Sequence, residues 1–167
     1  MIMRLLTVVL LYLSLLSLAA PPANAADPQR GVEFFEKHVL GRGMARLDWN
    51  RDGLDDVLIS HMDAPVALLT CTSPSHGHFV AIRLRATATA RDAIGTQLTL
   101  RVGDRRLYRQ QTAGDGFMAS NQRQLIFGTG SSTTVGPLEV RWPSGRVDIF
   151  KQVPVDREWM LVEGHQP

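Results

Sequence analysis

Cysteine occurs once in the 167 residues, at Cys71. No intramolecular disulfide is therefore available, and the fold must stand on its core alone. The lone thiol is expected as a small, partly buried side chain. Lysine is nearly absent as well, since 16 of the 18 basic residues are arginine. A mean hydropathy close to zero excludes a multispanning membrane protein. The length leaves no room for a large multidomain enzyme or for a complete propeller of several four-stranded blades. What remains is an ordinary 44% hydrophobic share, enough for one globular core rather than a disordered chain.

The N-terminus reads differently from the rest. Arg4 precedes an apolar run from Leu5 to Ala20, and Pro21-Pro22-Ala23-Asn24-Ala25 follows. A positive start, an apolar middle and a small-x-small ending make a secretory signal peptide, with cleavage expected after Ala25. The run falls short of the roughly 20 residues that cross a bilayer. The reading is therefore export to a periplasmic or extracellular compartment, with no membrane span after cleavage. No cysteine adjoins the cut to carry a lipid.

Charge is split along the chain. Residues 27–63 carry eight acids against five bases, and residues 78–167 carry twelve bases against eight acids. Such a step suggests two units with different surfaces. Arginines alternate with apolar residues, as in Val80-Ala81-Ile82-Arg83-Leu84-Arg85. That is the pattern of solvated strand faces and calls for no nucleic acid.

The sharpest local signal is Asp48-Trp49-Asn50-Arg51-Asp52-Gly53-Leu54-Asp55-Asp56. Side-chain oxygens fall at relative positions 1, 3, 5 and 9, with glycine at 6. A hard cation such as Ca²⁺ takes about 6–8 oxygens, and alternate positions in a tight loop converge on one point. Asp48, Asn50, Asp52 and Asp56, with the Leu54 carbonyl, are the expected ligands of a structural calcium. Gly53 supplies the backbone freedom to turn around the ion. Affinity is expected in the roughly 10⁻⁴–10⁻³ M range of extracellular modules. Position 12 is Ile59 and not a glutamate, and Val57-Leu58-Ile59 reads as a strand, so the loop joins two strands and is no EF-hand.

Gly41-Arg42-Gly43-Met44-Ala45, the Asp48–Asp56 loop and Val57-Leu58-Ile59-Ser60 together resemble one FG-GAP or VCBS repeat. Residues 30–69 would form it, with Val32–Leu40 as a lead-in strand or short helix. In that family each repeat is a blade-like unit of a β-propeller with a calcium loop between its first two strands. Only one copy is present, and one blade cannot bury both its faces. It must pack on the C-terminal unit, on a partner or on another copy of itself.

From His78 onward short alternating segments are punctuated by turn residues. Strands are expected at Phe79–Arg85, Gln97–Val102, Arg105–Gln111, Gln124–Phe127, Leu138–Trp142, Val147–Phe150 and Trp159–Val162. The fold class is mostly β: a compact antiparallel β-sandwich or small barrel, preceded by the blade-like unit. Gly103-Asp104 and Pro143-Ser144-Gly145 are the hairpin turns. Residues 76–164 resemble the ASPIC/UnbV domain. The matching words are Arg91-Asp92-Ala93-Ile94-Gly95, Gly114-Asp115-Gly116-Phe117-Met118-Ala119-Ser120, Phe127-Gly128-Thr129-Gly130, Arg141-Trp142-Pro143-Ser144-Gly145 and Glu163-Gly164, with Thr96 and Thr129 departing from the usual Ala and Leu. The resemblance implies an exported protein and a domain without established catalytic activity.

No catalytic residue emerges. A Gly-x-Ser-x-Gly elbow is missing, and Gly128-Thr129-Gly130-Ser131-Ser132 lacks the lysine of a phosphate loop, so it reads as a turn. Cys71, His76, His78 and His61 lack the paired spacing of a zinc site. Nothing in the spacing of Asp92, Asp115 and Glu139 selects them as a glycosidase pair. Arg91, Asp92, Asp115 and Phe117 are the candidate ligand or partner surface, with Arg91-Asp92 as a local ion pair and Phe117 as a sugar platform or a loop anchor. The expected function is a secreted, non-enzymatic calcium-binding β-module for adhesion, assembly or ligand recognition, with a protein or glycan partner or self-association through the lone blade. Two alternatives stand beside it. One is an accessory subunit or enzyme of envelope or secondary metabolism, since the resemblance extends to proteins of enediyne pathways. The other is a truncated remnant of a larger propeller protein.

Overall fold

The computed structural model describes residues 33–73 and 77–165. The predicted signal peptide and His76 lie outside them. Among the described residues, no helix is long and apolar enough to cross a membrane.

Alternation writes the core. Strand β5 (Gln97–Val102) turns Leu98, Leu100 and Val102 inward, and β9 (Leu138–Arg141) does the same with Leu138 and Val140. These two pair antiparallel and are flanked by β6 (Arg105–Gln110) and β10 (Val147–Phe150), giving the order β10-β9-β5-β6. A second sheet has the order β12-β4-β7, from β12 (Arg157–Val162), β4 (His78–Arg85) and β7 (Leu125–Gly130). It contributes Val80, Ile82, Phe127 and Leu161 to the same hydrophobic cluster. The short strands β8 (Thr134–Val135) and β11 (Val153–Pro154) pair with each other and add Val135 and Val153. The result is a sandwich without a closed barrel, as two inward-facing sheets around one core require.

Several boundaries differ from those expected. β12 runs parallel to β4 rather than antiparallel. β8 and β11 have two residues each, too short for alternation to show. Gly128-Thr129-Gly130, read as a turn, continues strand β7, and the chain turns only at Ser131. Burial of Thr129, whose hydroxyl donates to the Ser132 carbonyl, holds that segment on the sheet. The two hairpin turns stand as expected. Gly103 has a φ of 58° between β5 and β6, and Gly145 one of 89° between β9 and β10.

The N-terminal unit is a three-stranded antiparallel sheet, β1 (Gly41–Leu47), β2 (Asp56–His61) and β3 (Ala67–Leu69), after a single helical turn at residues 33–36. None of its residues joins the hydrophobic cluster. Met44, Leu58, Met62 and Val66 remain exposed. This sheet has no core of its own and depends on docking.

Candidate metal centre

The Asp48–Asp56 loop joins β1 to β2, and its side chains organise its backbone. Asp48 Oδ1 accepts from the Asp52 N–H at 3.1 Å, and Oδ2 accepts from the Gly53 N–H at 3.1 Å. Asp52 Oδ1 accepts from the Leu54 N–H at 2.9 Å, and its Oδ2 accepts from the Asn50 amide at 2.7 Å. Arg51 and Gly53 take positive φ values of 61° and 81°, which curls the chain about the three oxygen-bearing side chains. Burial pushes the Asp48 carboxyl above its ordinary range, the N–H groups of Gly53 and Asp52 oppose the shift, and the neighbouring Asp52 charge adds to it.

Asp56 is fully buried and closes the loop through two backbone bonds. Its Oδ2 accepts from the Trp49 N–H at 3.0 Å and its Oδ1 from the Cys71 N–H at 2.8 Å. It ties the start of the loop to the segment after β3. Among the described residues, no basic side chain pairs with Asp48, Asp52 or Asp56; the one ion pair of the loop joins Arg46 to Asp55. Nor do three His, Cys, Asp or Glu side chains gather at one point there. Hydrogen bonds link Asp48, Asn50 and Asp52, whose oxygens are of the type that suits a hard cation. Each carboxylate retains lone pairs beyond the hydrogen bonds it accepts.

The loop is held against the sandwich. The Asp48 N–H donates to the Gln122 side chain at 2.8 Å, and the Arg46 N–H to Asn121 Oδ1 at 2.7 Å. Met44 and Phe117 exchange backbone bonds of 2.9 and 3.2 Å, and the Gln122 N–H donates to the Arg46 carbonyl at 2.9 Å. Residues 117–122 thus line the open edge of β1, where unpaired N–H and C=O groups would otherwise meet only water. Gly116 fits because a Cβ there would press on the Ala119 and Met44 carbonyls. Phe117 itself is 65% exposed. Its backbone, not its ring, anchors the loop, which corrects the loop-anchor reading of the side chain.

Gly53 lies directly on the Phe79 ring, leaving no space for a Cβ, at a φ that already strains other residues. Gly53→Ala is therefore expected to cost about 1–3 kcal/mol. The loss should be local: hydrogen exchange should speed up across residues 41–69 while β5 and β9 keep their protection.

The other candidate residues scatter. Asp92 pairs with Arg123 and not with its neighbour Arg91, because the turn at residues 91–92 points it across to the segment before β7. Arg91 and Asp92 share one groove, whereas Asp115 lines another with Arg46 and Asn121. The Thr112 hydroxyl holds the Asp115 carboxyl below its usual range. Glu139 pairs with Arg141. Asp92, Asp115 and Glu139 do not share a cleft. His61 bonds the Pro65 carbonyl and His78 bonds Asp156, so the soft-ligand cluster is not assembled among the described residues. Cys71 is exposed, not partly buried, since only its backbone is recruited, by Asp56.

Sequence reasoning missed a carboxylate network at the end of the sandwich. Glu163, 2% exposed, accepts the N–H groups of Thr87 and Ala88 at 2.8 and 2.9 Å on one oxygen and the Ser144 hydroxyl on the other. Asp148, also buried, accepts from Trp142 Nε1 at 2.7 Å, Arg146 Nε at 2.8 Å and the Gly164 N–H at 3.2 Å. Arg141–Gly145 and Glu163-Gly164, separate words in the sequence, are one brace. Their long sequence separation hid it.

No curated protein matches the chain. Residues 86–167 match the family model described as ASPIC and UnbV. The matched span begins just after β4, although β4 is the central strand of its sheet. The C-terminal sandwich is thus similar to the ASPIC/UnbV family, from the turn that follows β4 to the end of the chain.

Proposed function

We propose that the protein is an exported, non-enzymatic β-module in which a structural calcium ion steadies a lone FG-GAP/VCBS-type blade against an ASPIC/UnbV-like sandwich, for adhesion, assembly or ligand recognition. The observation that carries this reading is the loop itself. It presents the oxygens of Asp48, Asn50 and Asp52 around one curl of backbone, with no basic partner for Asp48 or Asp52 among the described residues. Asp48, Asn50 and Asp52 would hold the ion with the Leu54 carbonyl, while Asp56 keeps the loop ends together. The bound charge would offset both the burial of Asp48 and its repulsion from Asp52. The exposed Met44, Leu58, Met62 and Val66 favour association through the blade, with a protein partner or a second copy.

Thermal melting tests the metal. At calcium about a hundredfold above Kd, binding should add about 2.7 kcal/mol of stability. In Asp52→Ala that calcium-dependent increment should vanish, whatever the variant loses without metal. Equal melting of the wild type with calcium and with chelator would refute the structural-metal reading.

A further inference from the structure

The outer face of the β12-β4-β7 sheet carries a feature that calcium does not explain. Pairing of β4 with β12 sets Arg83 opposite Met160 and Arg85 opposite Val162. Because alternate residues share a face, Arg83 and Arg85 stand on the side away from the core, about 7 Å apart along the strand. The Ala86 N–H donates to the Arg91 carbonyl at 3.1 Å, which fixes Arg91 beside the end of β4. Arg123 reaches the same place from the segment before β7. The four arginines line one groove of about 340 Å³ with Asp92, Leu84, Met160 and Val162.

The charges there do not balance. Arg123 is paired with Asp92, and Arg83 lies 3.5 Å from Glu158. Arg85 and Arg91 have no acidic partner among the described residues. Four guanidinium groups thus face two carboxylates around a concavity of the size that takes small ligands, about 300–1,000 Å³. Guanidinium forks match carboxylate, phosphate and sulfate oxygens two at a time. The apolar floor of Met160 and Val162 would cover the non-ionic part of a bound molecule.

We infer that this groove is a binding site for a polyvalent oxyanion, a ligand bearing two or more carboxylate, phosphate or sulfate groups on a small acid or a sugar chain. Arg85 and Arg91 supply the uncompensated charge, and Arg83 and Arg123 are held in place by their acidic partners. The site stands apart from the calcium loop, so its success or failure is independent of the metal.

Calorimetry on the purified protein in calcium-free buffer at low ionic strength tests it, with inorganic phosphate, citrate and a sulfated heparin tetrasaccharide as probes. Citrate or the tetrasaccharide should bind at least about tenfold more tightly than phosphate, and salt should weaken the binding as it screens the charges. Binding of citrate alone marks a small polyacid, and binding of the tetrasaccharide alone marks a glycan. The double variant Arg85→Gln/Arg91→Gln should lose at least about tenfold in affinity, a loss of about 1.4 kcal/mol. Both side chains are exposed, so the fold should persist. Arg105→Gln/Arg106→Gln on β6 should bind as the wild type does. Absence of binding for all three probes, phosphate binding as tightly as the polyanions, or equal affinity in the Arg85/Arg91 variant would each overturn the inference.

Discussion

Glu163→Ala is expected to destabilise the sandwich by about 2–4 kcal/mol, because it leaves several donors without an acceptor at a closed site. The Thr87 and Ala88 N–H groups and the Ser144 hydroxyl all end on this one carboxylate. The backbone of residue 163 is held separately: the Thr87 hydroxyl donates to the Glu163 carbonyl, and the Glu163 N–H donates to that of Arg85. These backbone contacts survive the substitution and should keep the variant folded. Glu163→Gln retains an acceptor oxygen and a polar partner for Ser144, so it should recover most of the loss.

The same residue gives the fold an acid limit. The N–H of Ala88, then the Ser144 hydroxyl and the N–H of Thr87, hold the Glu163 carboxyl below its ordinary 4.5. A carboxylate with a depressed folded pKa contributes stability that is complete above the unfolded value and is lost as pH falls through the folded one. Asp148 acts in the same direction. Burial opposes its ionisation, but Arg146, the Gly164 N–H and Trp142 outweigh that and keep it below 3.8. Stability should therefore fall as pH drops from about 4.5 toward 2. Urea midpoints at pH 7 and pH 3 should differ less in Glu163→Gln than in the wild type. An equal drop in both would assign the acid sensitivity to other groups.

Trp142→Ala is the second large effect, at about 3–5 kcal/mol. Trp142 is the largest fully buried side chain and belongs to the central cluster. Its removal opens a cavity and also takes one donor from the buried Asp148. Trp142→Phe separates the two terms. It keeps most of the volume but not the indole N–H, and Asp148 retains Arg146 and Gly164 as donors. A loss of about 1–3 kcal/mol is expected for that variant. Denaturant unfolding gives both values. A Phe variant as unstable as the Ala variant would place the whole effect in the hydrogen bond.

These two residues show how far local pattern reaches. Leu98, Leu100, Leu138 and Val140 alternate with exposed neighbours, so the strands that carry them are legible from period alone. The Asp48–Asp56 spacing likewise exposes a loop between two strands, because its ligand types, glycine and flanking apolar runs are all local. The Trp142 and Glu163 motifs were visible as words but not as a joint. A hydrogen bond between positions 144 and 163 leaves no periodic trace. The parallel pairing of β12 with β4 is equally silent, since both strands would alternate in the same way in either direction. Arg83 and Arg85 read as solvated positions on an outer face, which they are. Only the arrival of Arg91 and Arg123 from two other segments makes them a groove.

By itself, the sequence determined that a chain with one cysteine must rest on a β-rich core. It also determined that an acidic stretch precedes a basic one, and that an oxygen-bearing loop lies in the acidic stretch. All of that resides in composition, period and short spacing, which folding does not rearrange. The tertiary structure decided that the N-terminal sheet has no core of its own and leans by its β1 edge on residues 117–122. It decided that Asp56 ties the loop to the segment after β3, and that Glu163 and Asp148 bind the sandwich shut. Those are contacts between distant segments, and the free energy of each depends on both partners arriving in register. Thus the missing disulfide, which placed the whole burden on a core, is compensated near the chain's end by buried carboxylates that collect the backbone N–H groups of Thr87, Ala88 and Gly164 and the side-chain donors of Trp142, Ser144 and Arg146.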